Sequence, residues 1–179
     1  MKTKIIAILV FASLMTKLNA QNHDKVGLLE KPVPVSSVRN ITGFFGHRME
    51  VNRNAYLKHF PDKYVDFVVN RQHSAWDWTQ AEQHGKWIES AYLSAVQGDD
   101  KELLIKAESV LNRIIDSQEA NGYVGATAKS FRSPERPVRG MDAYELYFVF
   151  HAFITVYEET GDKKALTAAE KLADYFLQY

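Results

Sequence analysis

Five carboxylates stand where chemistry could be done: Asp77, Glu82, Glu89, Asp142 and Glu145. Each falls on or beside a segment with helical periodicity. Two carboxyl groups flanking one bond, one protonated and one ionised, can cleave an acetal linkage. Glu145 lies next to a long loop and near Tyr147 and His151. No second carboxylate is fixed opposite it by spacing, so no catalytic pair is assigned. Hydroxyl binding suits it better. Its plainer role is a charge complementing the positive end of a helix.

His84 shares a helical turn with Trp87, and His151 sits among Tyr144, Tyr147 and Phe148. A histidine on such a face is either a packed or surface residue or a ligand contact. Trp76-Asp77-Trp78 precedes a helix and either lines a cleft or staples the helix start to the core. No His-Glu-x-x-His or comparable metal spacing occurs, so no metal ligand is assigned. No nucleophile-elbow pattern occurs either. The chain contains 0 cysteines, which excludes a thiolate nucleophile or Cys-ligated zinc within it.

These residues need a scaffold, and 179 residues with 46% apolar content can bury a core. The 22 basic residues balance the 22 acidic ones and no basic stripe stands out, so nucleic acid is not expected as a partner. An aromatic content of 12% suits a packed helical core first and a sugar-stacking cleft second.

The periodicity predicts helices. Gly43 and Gly46 bracket Phe44-Phe45 as a turn, and a first helix is expected from Met49 to Phe60, stopped by Pro61. Tyr64 to Val69 continues a helix or makes a strand. Ala81 to Val96 places Trp87, Ala91 and Ala95 on one stripe, joined by Ile88 and Tyr92. Gly98-Asp99-Asp100 breaks the chain, with either aspartate a suitable N-cap. Leu103, Ala107, Val110, Leu111 and Ile114 follow at helical spacing, up to about Gln118. Asn121-Gly122 makes a turn. Residues 123–141, with Gly125, Pro134, Pro137 and Gly140, read as a long loop of the kind often tied to function. Asp142 caps a helix running to about Glu159. After Gly161-Asp162, Lys164 to Leu177 is amphipathic.

Gly98 to Leu103 lines up with Gly161 to Leu166. The repeated unit is helix, Gly-Asp turn, helix. A period of about 60 residues fits an α/α toroid; a helical solenoid fits too, usually with a shorter period. The expected fold is all-α, an incomplete (α/α)6 toroid built of helical hairpins, with aromatic-rich inner helices and Ala/Lys-rich outer ones.

At the start, Lys2 and Lys4 precede an apolar run from Ile5 to Met15, and Leu18-Asn19-Ala20 offers a small residue before Gln21. This is the pattern of a cleaved signal peptide, and the run is too short to span a bilayer comfortably. The expected layout is a signal peptide at 1–20, an extended leader at 21–42 and a helical domain at 43–179. In the leader, Val33, Val35 and Val38 would make a short strand or a packing strip. The expected location is secreted or periplasmic, with no membrane span after cleavage.

Several segments resemble the β-L-arabinofuranosidase family of glycoside hydrolases. Gly46-His47-Arg48-Met49-Glu50-Val51-Asn52-Arg53 is similar to the family's opening segment, and Gly85-Lys86-Trp87-Ile88-Glu89-Ser90-Ala91 to its Lys-Trp-Leu-Glu-Ala-Ala helix. Gln118 to Tyr123 resembles its Gln-x-x-Asp-Gly-Tyr turn. Glu145-Leu146-Tyr147 with His151 resembles its next inner helix, and Tyr157 to Asp162 its Tyr-x-x-Thr-Gly segment. The resemblance implies an exported glycoside hydrolase, or a fragment of one, acting on arabinose- or related sugar-containing polysaccharide. It implies saccharide contact by His84, Trp87, Tyr123, Glu145, Tyr147 and His151. Tyr144 stands where the family usually has His. The family's acidic residue, with cysteines around a zinc ion, lies beyond a segment like this one, so zinc belongs to the full-length domain and no cofactor is expected here. The chain stops at Tyr179 within an amphipathic pattern, as a truncated product, an expressed fragment or a degenerate relative would. Two other readings stay open: a non-catalytic carbohydrate-binding helical protein of the cell envelope, and another toroid enzyme such as an unsaturated glucuronyl hydrolase or a polysaccharide lyase.

Overall fold

The structure, a computed structural model, describes residues 33–61, 63–72, 82–135 and 142–178. The expected signal peptide and its cleavage after Ala20, the Trp76-Asp77-Trp78 segment and residues 136–141 of the long loop lie outside the described residues. Residues 34–179 form one compact unit. Among the described residues there are six α-helices and no strand: α1 Gly43–Ala55, α2 Lys63–Val69, α3 Glu82–Gly98, α4 Lys101–Asp116, α5 Asp142–Thr160 and α6 Lys163–Leu177. None of the described helices is long and apolar enough to cross a membrane.

Two helical hairpins, α3–α4 and α5–α6, make the body. Inner helix α3 packs along inner helix α5 more extensively than any other pair of elements. Gly85 permits it. A Cβ there would lie 2.6 Å from the carbonyl carbon of Phe148, so the two backbones touch with no side chain between them. Val149, Ala152, Phe153 and Val156 of α5 join Ile88, Ala91, Tyr92 and Ala95 of α3 in one core. Burial of such side chains is the main force assembling the hairpins.

The two hairpin turns are built alike. Asp100 caps α4 by accepting from the Leu103 amide at 3.1 Å, and Asp162 caps α6 by accepting from the Lys164 amide at 2.8 Å. The residue before each cap is left-handed: Asp99 at φ 52° and Gly161 at φ 76°. The repeat therefore aligns Asp99 with Gly161 and Asp100 with Asp162. Alignment on the glycines is one residue out, because Gly98 is the last residue of α3 and Asp99 takes the left-handed position. Aspartate tolerates that conformation better than most residues. In this register Leu103, Ala107 and Val110 match Ala165, Ala169 and Leu172, and all six are buried.

The N-terminal part departs from expectation. Helix α1 begins at Gly43, not Met49, and ends at Ala55, after which Leu57–His59 forms a 3₁₀ turn. Gly43 to Gly46 is helix, not turn. A Cβ on Gly46 would lie 2.1 Å from the Ile41 carbonyl oxygen, so this glycine lets the first turn fold over the preceding chain. None of the residues of α1 is buried, which leaves its apolar pattern uninformative about its start. Val35–Ser37 forms a 3₁₀ turn, with Val33 and Val38 exposed, in place of a strand or packing strip. Tyr64 to Val69 belongs to helix α2.

Candidate functional site

Residues on α3 and α5 build two layers, one buried and one open. The buried layer gathers at the start of the two inner helices. His84 is wholly buried and neither ring nitrogen has a hydrogen-bond partner among the described residues. Burial pushes its pKa down to about 3, so the ring is neutral at physiological pH. Glu145 is also wholly buried. Burial first, then the charges of Asp142 and Glu82, push its pKa up to about 8, so it is mostly protonated at neutral pH.

The long loop reaches into this layer. Residues 123–127 are all buried, although they belong to the stretch expected to be a long loop. The Tyr123 hydroxyl donates to Asp142 and accepts from the Thr127 amide at 3.0 Å. Burial, with Asp142 adding to it, raises the Tyr123 phenol well above its ordinary value. The Arg132 guanidinium lies 3.6 Å from the centre of the Tyr123 ring and pairs with Glu119 at 2.5 Å. Arg71 pairs with the same Glu119 oxygen at 2.8 Å and donates to the Ser117 carbonyl. Burial alone would raise the Glu119 carboxyl; Arg132, then Arg71, more than offset it and hold it below the ordinary carboxylate range. Trp87 is buried as well. Its Nε1–H donates to the Leu57 carbonyl at 2.9 Å, and its ring stacks on Phe60 at 4.8 Å.

The open layer runs along the outward side of the same two helices. Lys86 pairs with Glu82 at 2.9 Å, donates to the Tyr144 hydroxyl at 3.3 Å and lies 4.3 Å from the centre of the Phe148 ring. The Glu82 carboxylate holds the Lys86 ammonium above its usual value. Further along, Tyr147 leans on Phe148 edge to face and on His151, with ring centres 5.1 and 5.8 Å apart. The rings of Tyr144, Tyr147 and His151 are exposed. Of the six residues marked for saccharide contact, Tyr147 and His151 are exposed, whereas His84, Trp87, Tyr123 and Glu145 are in the core. Lys86 was missed. Its signal was present: Lys86 and Glu89 are three apart on the helical face opposite Trp87 and Ile88, where polar side chains need another reason to cluster with aromatic ones.

Beside this face, an apolar groove of about 420 Å³ opens between α5 and α6, floored by Leu146 and Phe150 and walled by Tyr147, Ala173 and Phe176. The repeat register fails here: Ile114 is wholly buried, whereas its counterpart Phe176 is 39% exposed.

Stacked helical hairpins with aromatic-rich inner helices define the α/α-toroid class, here as part of a toroid. The model of the β-L-arabinofuranosidase, GH127 catalytic-domain family matches residues 37–179, and the chain belongs to that family. It is similar to the solved structure of the GH127 β-arabinofuranosidase BT3674, with 25% identity and a TM-score of 0.60. That similarity covers 80% of this chain and 26% of the solved one, so the chain spans about a quarter of the length of this relative. No curated protein matches the chain.

The zinc ion that the family resemblance implies finds no fitting ligand set among the described residues. The chain has 0 cysteines, and among the described residues no three His, Asp or Glu side chains are grouped to hold a metal.

Proposed function

We propose that this chain supplies one wall of the saccharide cleft of an exported β-L-arabinofuranosidase-type glycoside hydrolase. The substrate would be an arabinose- or related sugar-containing polysaccharide. The chain taken alone would bind saccharide without hydrolysing it. The observation that carries the reading is the open layer on α3 and α5. Exposed Tyr147 and Tyr144 lie beside the polar groups of His151, Glu89 and Lys86. Flat apolar rings next to donors and acceptors suit a sugar, whose C–H face and hydroxyls need both. Export is supported by the Lys2/Lys4, Ile5–Met15 and Ala20 pattern.

Glu145 supports binding-site architecture more than catalysis. A wholly buried carboxyl cannot reach a bond that stays outside the core, and an acid–base pair needs a second carboxyl across the bond. The test is to assay the purified chain against aryl β-L-arabinofuranosides, with and without added zinc, and to titrate it with arabino-oligosaccharides. Binding without turnover is expected. Turnover well above the uncatalysed rate, abolished by Glu145→Gln, would show that the active site lies within this chain.

A further inference from the structure

Glu89 and His151 meet across the two inner helices. His151 Nδ1 lies 3.0 Å from Glu89 Oε1, and the Thr155 hydroxyl reaches the same oxygen at 3.4 Å. The two partners come from different helices, so the contact exists only because α3 and α5 pack together. Glu89 is three-quarters covered, with 26% of its side chain exposed, whereas His151 is half open at 49%. One turn before His151, Tyr147 tilts 43° to the imidazole and is 56% exposed.

We propose that Glu89 is a positioning residue of the saccharide site, acting through His151. The proposal rests on the saccharide-binding reading of this face. A neutral imidazole carries one proton, and a carboxylate can only accept. With Glu89 at Nδ1 the proton is held there, and Nε2, on the far side of the ring, is left as an acceptor. A sugar lying on the Tyr147 ring then meets an acceptor of fixed direction. It is selected for a hydroxyl that can donate from the edge of its stacked face. Without Glu89 the imidazole can rotate or carry its proton on Nε2, and the same hydroxyl meets a donor. The ligand class is a furanose or pyranose unit with one free hydroxyl at the edge of an apolar C–H face. Lys86, farther along the same face, is already paired with Glu82.

The experiment reads tautomer and affinity separately, on the full chain. Nitrogen-15 histidine spectra are recorded at about pH 8, where an ordinary imidazole is neutral, and His151 is assigned by its loss in His151→Gln. The wild-type chain should show protonated Nδ1 and bare Nε2, and Glu89→Gln should move the population towards protonated Nε2. Affinity for a β-L-arabinofuranosyl oligosaccharide should fall about five- to tenfold in Glu89→Gln, the scale of one oriented hydrogen bond. It should fall no further in Glu89→Gln/His151→Gln than in His151→Gln. Protonated Nε2 in the wild type, or an affinity that responds to His151→Gln and ignores Glu89→Gln, overturns the positioning role. Absence of any binding by a wild-type chain with the expected tautomer overturns the saccharide reading instead.

Discussion

The Tyr123 hydroxyl lies 2.9 Å from one carboxylate oxygen of Asp142 and 3.0 Å from the other, with both side chains wholly buried. One phenol thereby ties the long loop to the first residue of α5. The same oxygen accepts the Thr127 amide, so it serves a donor and an acceptor that water does not reach.

Removing that oxygen takes a partner from each. Tyr123→Phe leaves a buried carboxylate short of a donor and a buried amide short of an acceptor. Each such group costs about 1–3 kcal/mol. Urea unfolding should show a lower midpoint with little change in slope. A midpoint equal to wild type would mean that Asp142 and Thr127 find other partners at no cost.

Stability should peak at mildly acid pH. His84 has a folded pKa of about 3 against 6.5 unfolded, so the unfolded chain takes up a proton between these values and stability falls as pH drops below about 6.5. Glu145 has a folded pKa of about 8 against 4.5, so the folded chain holds a proton that the unfolded chain releases and stability falls as pH rises above about 4.5. The two slopes cancel between these limits, leaving a flat top at about pH 4.5 to 6.5. Glu119 and Asp100, both held below their usual values, steepen the acid limb further down. Thermal melts across pH should show the plateau, and Glu145→Gln should flatten the alkaline limb. A wild-type stability that climbs from pH 6 to 8 contradicts this assignment.

Gly85→Ala should destabilise the chain by about 1–3 kcal/mol, the usual cost of overpacking. The added methyl meets Phe148 backbone, which has no rotamer to yield. The measurement is the melting temperature, with a drop expected even though alanine is the better helix former.

At the second hairpin turn, a Cβ on Gly161 meets nothing within 4 Å, so only backbone conformation resists substitution. Gly161→Ala should cost about 1 kcal/mol, the penalty for an L-residue held left-handed. Gly161→Asp should cost less, since Asp99 already occupies the equivalent position. Equal losses from the two variants, by denaturant titration, would remove the equivalence of the turns.

The legible parts of this fold are local ones. Asp100 and Asp162 announce their helix starts because a cap needs only its own side chain and an amide two or three residues on. The stripe of Trp87, Ile88 and Ala91 likewise marks the buried side of α3 before any partner is known. Family membership was legible too, in the order of several short motifs, and the family match bears it out. What was not legible depends on distant neighbours. Tyr123 sits in a polar, Gly- and Pro-containing stretch, and its burial requires Arg132 and Asp142, 19 residues on in the second case. Glu145 sits at a helix start like any solvated carboxylate, yet it is wholly buried where α5 lies close against α3. Helix α1 buries none of its residues, so its first turn left no apolar period to read.

Gly122 has a further consequence for how the chain unfolds. A Cβ there would lie 2.0 Å from the Lys171 carbonyl oxygen, and the neighbouring Gln118 amide donates to the Ala168 carbonyl at 3.0 Å. The turn that closes the first hairpin is thus seated on the outer helix of the second, α6. In a simple helical array each unit leans only on its neighbour's face, and the units can melt one after another from an end. Here fraying of α6 would unseat the turn after α4, and with it the Tyr123 anchor. The chain should therefore exchange its α4 and α6 amides as one cooperative block instead of shedding its last helix first.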